Sequence, residues 1–81
     1  MGSEHVRRSA ARVQQIGDEV RRLADRTGAV GGLDWRSTAA DGFRHRLLEE
    51  VARLRAVAAG VDAAADALWR HALAIEAGAA R

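Results

Sequence analysis

The stretch LDWRSTAADGF, residues 33–43, separates two long apolar repeats, and the two Trp of the chain fall here and near its end. Trp35 sits beside a glycine-rich break, at a place where the chain is expected to turn and meet water. Upstream, Gly28-Ala29-Val30-Gly31-Gly32 reads as a linker. It has neither the Lys nor the preceding strand of a phosphate-binding loop. Downstream, Thr38-Ala39-Ala40-Asp41 matches a capping box, in which a Thr hydroxyl and an acid three residues later satisfy the first amides of a helix.

Outward from the break, both halves carry helical periodicity. In the first, Val6, Ser9, Val13, Ile16, Val20, Leu23, Thr27 and Val30 alternate at spacings of three and four, which puts one apolar seam on a helix. Ser3 is placed to cap its start, and the glycines from Gly28 onward to end it. In the second, Leu47, Val51, Leu54, Ala58, Val61, Ala65, Leu68, Ala72 and Ile75 keep the same alternation. Ala40 and Phe43 lead into it. The expected organisation is a single domain over residues 1–81, with helix 1 at about 3–28, a turn at about 29–37 and helix 2 at about 38–77. Helix 2 would be ~60 Å long at 1.5 Å per residue. Gly17, Gly42 and Gly60 fall inside the helices, where each costs ~1 kcal/mol relative to Ala. A neighbouring helix passing close by would account for them.

Two helices with matching seams and a short connection fold as an antiparallel hairpin. Folding at the glycines sets Leu23 level with Leu47, Ile16 with Leu54, and Val6 with Ala64 or Ala65. In that register the stripe on helix 2 is wider than one neighbour needs. Its last turns, with Leu68, Trp69, Leu73 and Ile75, project past the start of helix 1. Apolar surface left over in this way marks an interface. The expected fold is therefore all-α, a two-helix hairpin that dimerises into a four-helix bundle. The helix–helix and dimer contacts would be carried by Val13, Ile16, Val20, Leu23, Leu47, Val51, Leu54, Val61 and Leu68. Sequence alone does not sort these between the two roles.

Composition narrows the functional classes. Eighty-one residues bury only ~60% of their unfolded surface, and such short chains usually need a staple. There is no Cys and no Pro. Burial must come from an idealised helix pair or from a partner chain. All thirteen basic residues are Arg, which reads as the codon bias of a GC-rich genome, and the net charge is only +2. Arg7, Arg8, Arg12, Arg21, Arg22 and Arg26 concentrate in the first third. They leave open a homodimeric hairpin that binds nucleic acid, as an alternative to a protein-binding module or general coiled-coil adaptor. No stretch is apolar enough to span a membrane, and no apolar core follows the early arginines. The chain is thus expected to be made in the cytoplasm without a cleaved signal peptide.

Catalytic and metal chemistry find little support. His5, His45 and His71 lie far apart in the sequence. The hairpin brings only His5 and His71 towards one end, without a nearby carboxylate. Glu49-Glu50, Asp62 and Asp66 read as a solvated surface, with Asp66 and Arg70 at ion-pair spacing. A narrow bundle offers no substrate pocket. No enzyme activity and no cofactor are expected.

The residues of the break resemble the hairpin turn of the WXG (Trp-x-Gly) proteins, small helical hairpins associated with ESX, or type VII, secretion in actinobacteria and related bacteria. The likeness covers the whole chain as architecture. As sequence it covers about residues 33–54, with Trp35, Ala39, Ala40, Phe43 and the apolar repeat aligned. Ser37 stands where the family has its Gly. The resemblance implies a secreted substrate or co-secreted partner that pairs with itself, with another WXG-like chain or with a toxin's helical N-terminal region. The family's export signal, Tyr-x-x-x-Asp/Glu, has no counterpart: the chain lacks Tyr, and Ala72 precedes Glu76 at that spacing. The resemblance therefore implies the passive member of an exported pair. It also places the Trp turn near the partner's C-terminal tail. In this chain the corresponding tail contacts would be Trp69, Leu73 and Ile75, with Trp69 packing against a partner helix.

Overall fold

A computed structural model describes residues 2–31 and 38–79. The turn residues Trp35 and Ser37 lie outside the described residues. Two helices make up the fold, α1 (Ser3–Gly31) and α2 (Thr38–Ala79), with no strand among the described residues. They pack against each other as a hairpin 66 × 14 × 13 Å across its Cα atoms.

The two helices meet on small side chains. On α1 the buried residues are Val6, Ala10, Gly17, Ala24 and Gly31; on α2 they are Val51, Ala58, Ala65 and Ala72. In both helices small residues recur every seventh position, so each helix offers a nearly flat edge. Such residues let two backbones approach closely, because there is little side chain to hold them apart. Gly17 uses that freedom: a Cβ there would lie 2.9 Å from the Asp62 carboxylate and 3.4 Å from Val61. A Cβ on Gly31 would lie 3.4 Å from Leu48.

The α2 seam follows the expected alternation, with Val51, Ala58, Ala65 and Ala72 buried and Leu47, Leu54, Val61, Leu68 and Ile75 half-buried beside them. The α1 seam does not. Its second row is Ala10, Gly17, Ala24 and Gly31, one residue beyond Ser9, Ile16, Leu23 and Val30. Ile16 and Leu23 are 45% and 44% exposed. The reason is steric: large side chains at that row would hold the helices apart, whereas Ala and Gly let them close.

The register also differs from the one read at the glycines. Helix α1 does not stop at Gly28 but continues to Gly31. Gly31 packs on Leu48, Gly28 is nearest Val51, and Gly17 sits against Val61. Leu23 thus lies level with the stretch between Val51 and Val61, not with Leu47. At the far end Arg7 reaches Glu76. The C-terminal turns of α2 therefore do not project past α1. Ala72 is fully buried, and Leu68, Trp69 and Ile75 are half-buried. The overhang is at the opposite end, where residues 38–47 of α2 extend ~15 Å beyond Gly31 at 1.5 Å per residue.

Candidate functional site: the lateral faces of the hairpin

Helical periodicity gives the pair two unlike sides. One is held by ion pairs across the helices. Arg7 donates from Nε to Glu76 Oε1 at 2.5 Å and from Nη2 to Oε2 at 2.8 Å, a two-pronged contact of the kind that fixes geometry. Its guanidinium also lies 5.6 Å from the centre of the Trp69 ring. Arg21 bridges Asp18 on its own helix and Asp62 on the other. Arg55 on α2 reaches Asp25 on α1 at 3.1 Å. The hydrogen bond from Arg7 raises the hold on the Glu76 charge and keeps its pKa below the ordinary carboxylate value, against the opposing effect of desolvation. The same bond keeps Arg7 raised.

The other side is apolar. On α1 exposed Ile16, Leu23 and Val30, with half-buried Ser9 in the same row, flank half-buried Val13, Val20 and Thr27. On α2 the row Phe43, Glu50, Val57, Ala64 and His71 flanks half-buried Leu47, Leu54, Val61, Leu68 and Ile75. Val57 is 53% exposed and Phe43 44%. The cross-helix ion pairs engage rows that run along the opposite edge of each helix, so these two apolar rows share one face. Of the nine residues read as contacts in the sequence, Val51 is buried inside the hairpin. Val13, Val20, Leu47, Leu54, Val61 and Leu68 are half-buried along this face, and Ile16 and Leu23 stand exposed on it.

Trp69 is on the charged side, under Arg7, so its partner within the chain is a cation. Leu73 lies beyond that side and is 57% exposed, while Ile75 borders the apolar face. Of the turn residues described, Ala39 is exposed and Ala40 half-buried. Arg46 lies 6.0 Å from the Phe43 ring centre. Sequence reasoning missed Arg44, whose Nε donates to the Gly31 carbonyl at 2.9 Å. That bond satisfies one of the orphan acceptors at the end of α1. No local pattern signals it, since the partner lies across the turn.

The remaining candidates resolve into surface. Three of the six clustered arginines are already paired with carboxylates: Arg7 with Glu76, Arg8 with Glu4, and Arg21 with Asp18 and Asp62. Arg53 engages both Glu49 and Glu50. Asp66 and Arg70 make no ion pair among the described residues. Among the described residues no three metal-ligating side chains gather, and no helix is long and apolar enough to cross a membrane. His45 accompanies Asp41 one turn away. An open groove of about 260 Å³ runs between Gln14, Asp18, Arg21, Asp62, Ala65 and Asp66. Small-molecule sites are typically ~300–1,000 Å³, concave and mostly apolar; this groove is small and charged. Comparison of the chain with protein-family models, with curated proteins and with solved structures finds no match in any of the three.

Proposed function

We propose that this chain is a non-enzymatic interaction protein of the WXG kind, working in type VII secretion as a small secreted substrate or co-secreted partner through helix-bundle pairing. One observation carries the pairing: the hairpin closes on Ala and Gly and leaves Ile16, Leu23, Phe43 and Val57 on one exposed face. No large side chain is fully buried among the described residues. A body 66 Å long and 14 Å wide has a lateral face of about 900 Å². Stable, specific interfaces need ~800 Å² from each partner. A second hairpin laid on this face completes a four-helix bundle.

The secretion context rests on the resemblance of residues 33–43 to the WXG turn. With no Tyr in the chain, the export signal belongs to the partner. The test is expression in a host with a type VII system, with and without neighbouring helical-hairpin genes, followed by detection in the culture filtrate. Export that needs a signal-bearing partner, and that Trp35→Ala lowers while helical assembly persists, supports the reading. Retention in cells under every pairing, or export of the chain alone, overturns it.

A further inference from the structure

We propose that a second copy of this chain covers the apolar face in one antiparallel register, selected by Glu19 and Arg26. This self-pairing rests on the helix-bundle reading above, and a signal-bearing partner must displace one copy to form the exported pair. Close contacts fix the levels of the two helices: Gly17 against Val61, Gly28 nearest Val51 and Gly31 on Leu48. Leu23 and Val57 therefore stand level with each other, on the two exposed rows of the face and near the middle of α2. A two-fold axis through this level, perpendicular to the helices, lays each helix antiparallel on its own counterpart. Leu23 then meets Leu23 of the copy, Val57 meets Val57, and Ile16 meets Val30. Residues 38–47, which α1 of their own chain leaves uncovered, lie along residues 67–76 of the copy. The overlap takes in the whole lateral face, which reaches the ~800 Å² per partner of a stable interface.

The rim of the face on α1 is mixed in charge. Arg12, Glu19 and Arg26 recur there every seventh residue, all exposed, just outside Ile16 and Leu23. Glu19 and Arg26 make no ion pair among the described residues. Glu19 lies four residues before Leu23 and Arg26 three after it. Antiparallel pairing about Leu23 thus brings Glu19 within ~1.5 Å, along the helix axis, of the level of Arg26 of the copy. Symmetry repeats the contact, so each dimer gains two ion pairs. On α2, Arg46 and Arg53 fall opposite Ala67 and Gly60 of the copy and Glu50 opposite Ala64, so small residues meet the charges there. Sliding the copy by one seven-residue repeat keeps the apolar rows together but sets like charges face to face. With Ile16 on Leu23, Glu19 meets Glu19 and Arg12 meets Arg26; with Leu23 on Val30, Arg26 meets Arg26. Like charges brought together at an interface disfavour those registers. Turning the copy so that α1 lies on its α2 places Glu19 opposite Gly60 and gives it no cation.

The test is a charge exchange. Wild type is compared by sedimentation equilibrium with the single reversals Glu19→Arg and Arg26→Glu, with both reversals in one chain, and with an equimolar mixture of the two singles. Circular dichroism on each sample checks that the helices persist. Arg22→Glu, exposed on the outer side of α1, controls for net charge and should leave the affinity unchanged. Each single reversal should weaken self-association roughly tenfold, since both ion pairs of the dimer turn repulsive. Both reversals in one chain should restore the wild-type affinity. The mixture of singles should recover it as a 1:1 complex, because opposite charges again meet at both contacts. A wild-type dimer that the single reversals leave unchanged, or that the exchange does not restore, overturns the Glu19–Arg26 register and leaves the bundle reading standing. A wild type that stays monomeric and helical overturns the self-pair. The bundle reading then survives only if a different helical hairpin binds the chain and Val57→Asp abolishes that binding.

Discussion

Replacing Ala65 by Leu tests the claim that the two helices close on small residues. Ala65 is 3% exposed and lies in the row with Ala58 and Ala72, against α1. Leu adds three carbons where the opposing edge of α1 consists of Ala10, Gly17 and Ala24. Space between the helices is short, since one Cβ on nearby Gly17 would already touch Val61 and press on Asp62, and the only relief among the described residues is the open groove that Ala65 borders together with Asp62 and Asp66. The helices must move apart along this stretch or the Leu must leave its preferred rotamer. Overpacking of this kind costs ~1–3 kcal/mol. For a chain of this size that is a fall of roughly 4–24 °C in the melting midpoint. The assay is thermal circular dichroism, with TMAO added to give wild type a folded baseline. Ala63→Leu is the control: Ala63 is exposed on the back of α2, away from α1 and from the apolar face, and should stay within ~0.5 kcal/mol of wild type. Equal melting of the two variants would refute the close-packed seam.

Gly60→Ala should stabilise the chain by ~1 kcal/mol, since a Cβ there meets nothing within 4 Å and Ala is the better helix former; a denaturant melt checks the sign. Leu54→Asp, on the half-buried border of the apolar face, should abolish assembly in light scattering, and an unaltered oligomer would remove this face as the interface. The Glu76 pKa is depressed in the folded chain, chiefly by the hydrogen bond from Arg7. Its contribution is therefore present above the ordinary carboxylate pKa and is lost as pH falls through the depressed folded value. Acidification should free the Ser3 end of α1 from α2 and shift the Trp69 indole resonance in NMR spectra. Glu76→Gln should remove the acid-dependent part of that shift, leaving the resonance at its displaced position at neutral pH.

The sequence was legible where bulk and burial coincide. On α2 the half-buried leucines border the buried alanines, so one alternation captured both rows. On α1 they part: Ile16, Leu23 and Val30 dominate the apolar pattern, yet Ala10, Gly17, Ala24 and Gly31 make the contact. Ala and Gly barely register in an apolar repeat, although their small size is what lets the backbones meet. The register was misread for the same reason. Folding at the glycines treats Gly28 and Gly31 as breaks, whereas here they are contact points against Val51 and Leu48. The charged side was legible only as composition, because Arg7–Glu76, Arg21–Asp62 and Arg55–Asp25 join residues far apart in sequence. Of the turn motif, Trp35 and Ser37 lie outside the described residues, so its role stands on the resemblance.

The most direct test of the account is the stability of the chain alone, by native-state hydrogen exchange at a dilution where light scattering gives the mass of one chain. The seam buries nothing larger than Val among the described residues, and Ile16, Leu23 and Val57 stand on the open face. The account therefore expects protection at Ala58 and Ala65 well below the ~5 kcal/mol lower end of ordinary domains, rising when the face is covered in a complex. A lone chain that unfolds cooperatively with ~5 kcal/mol or more would contradict it: the hairpin would then be complete by itself, and its apolar face would have no structural need of a partner.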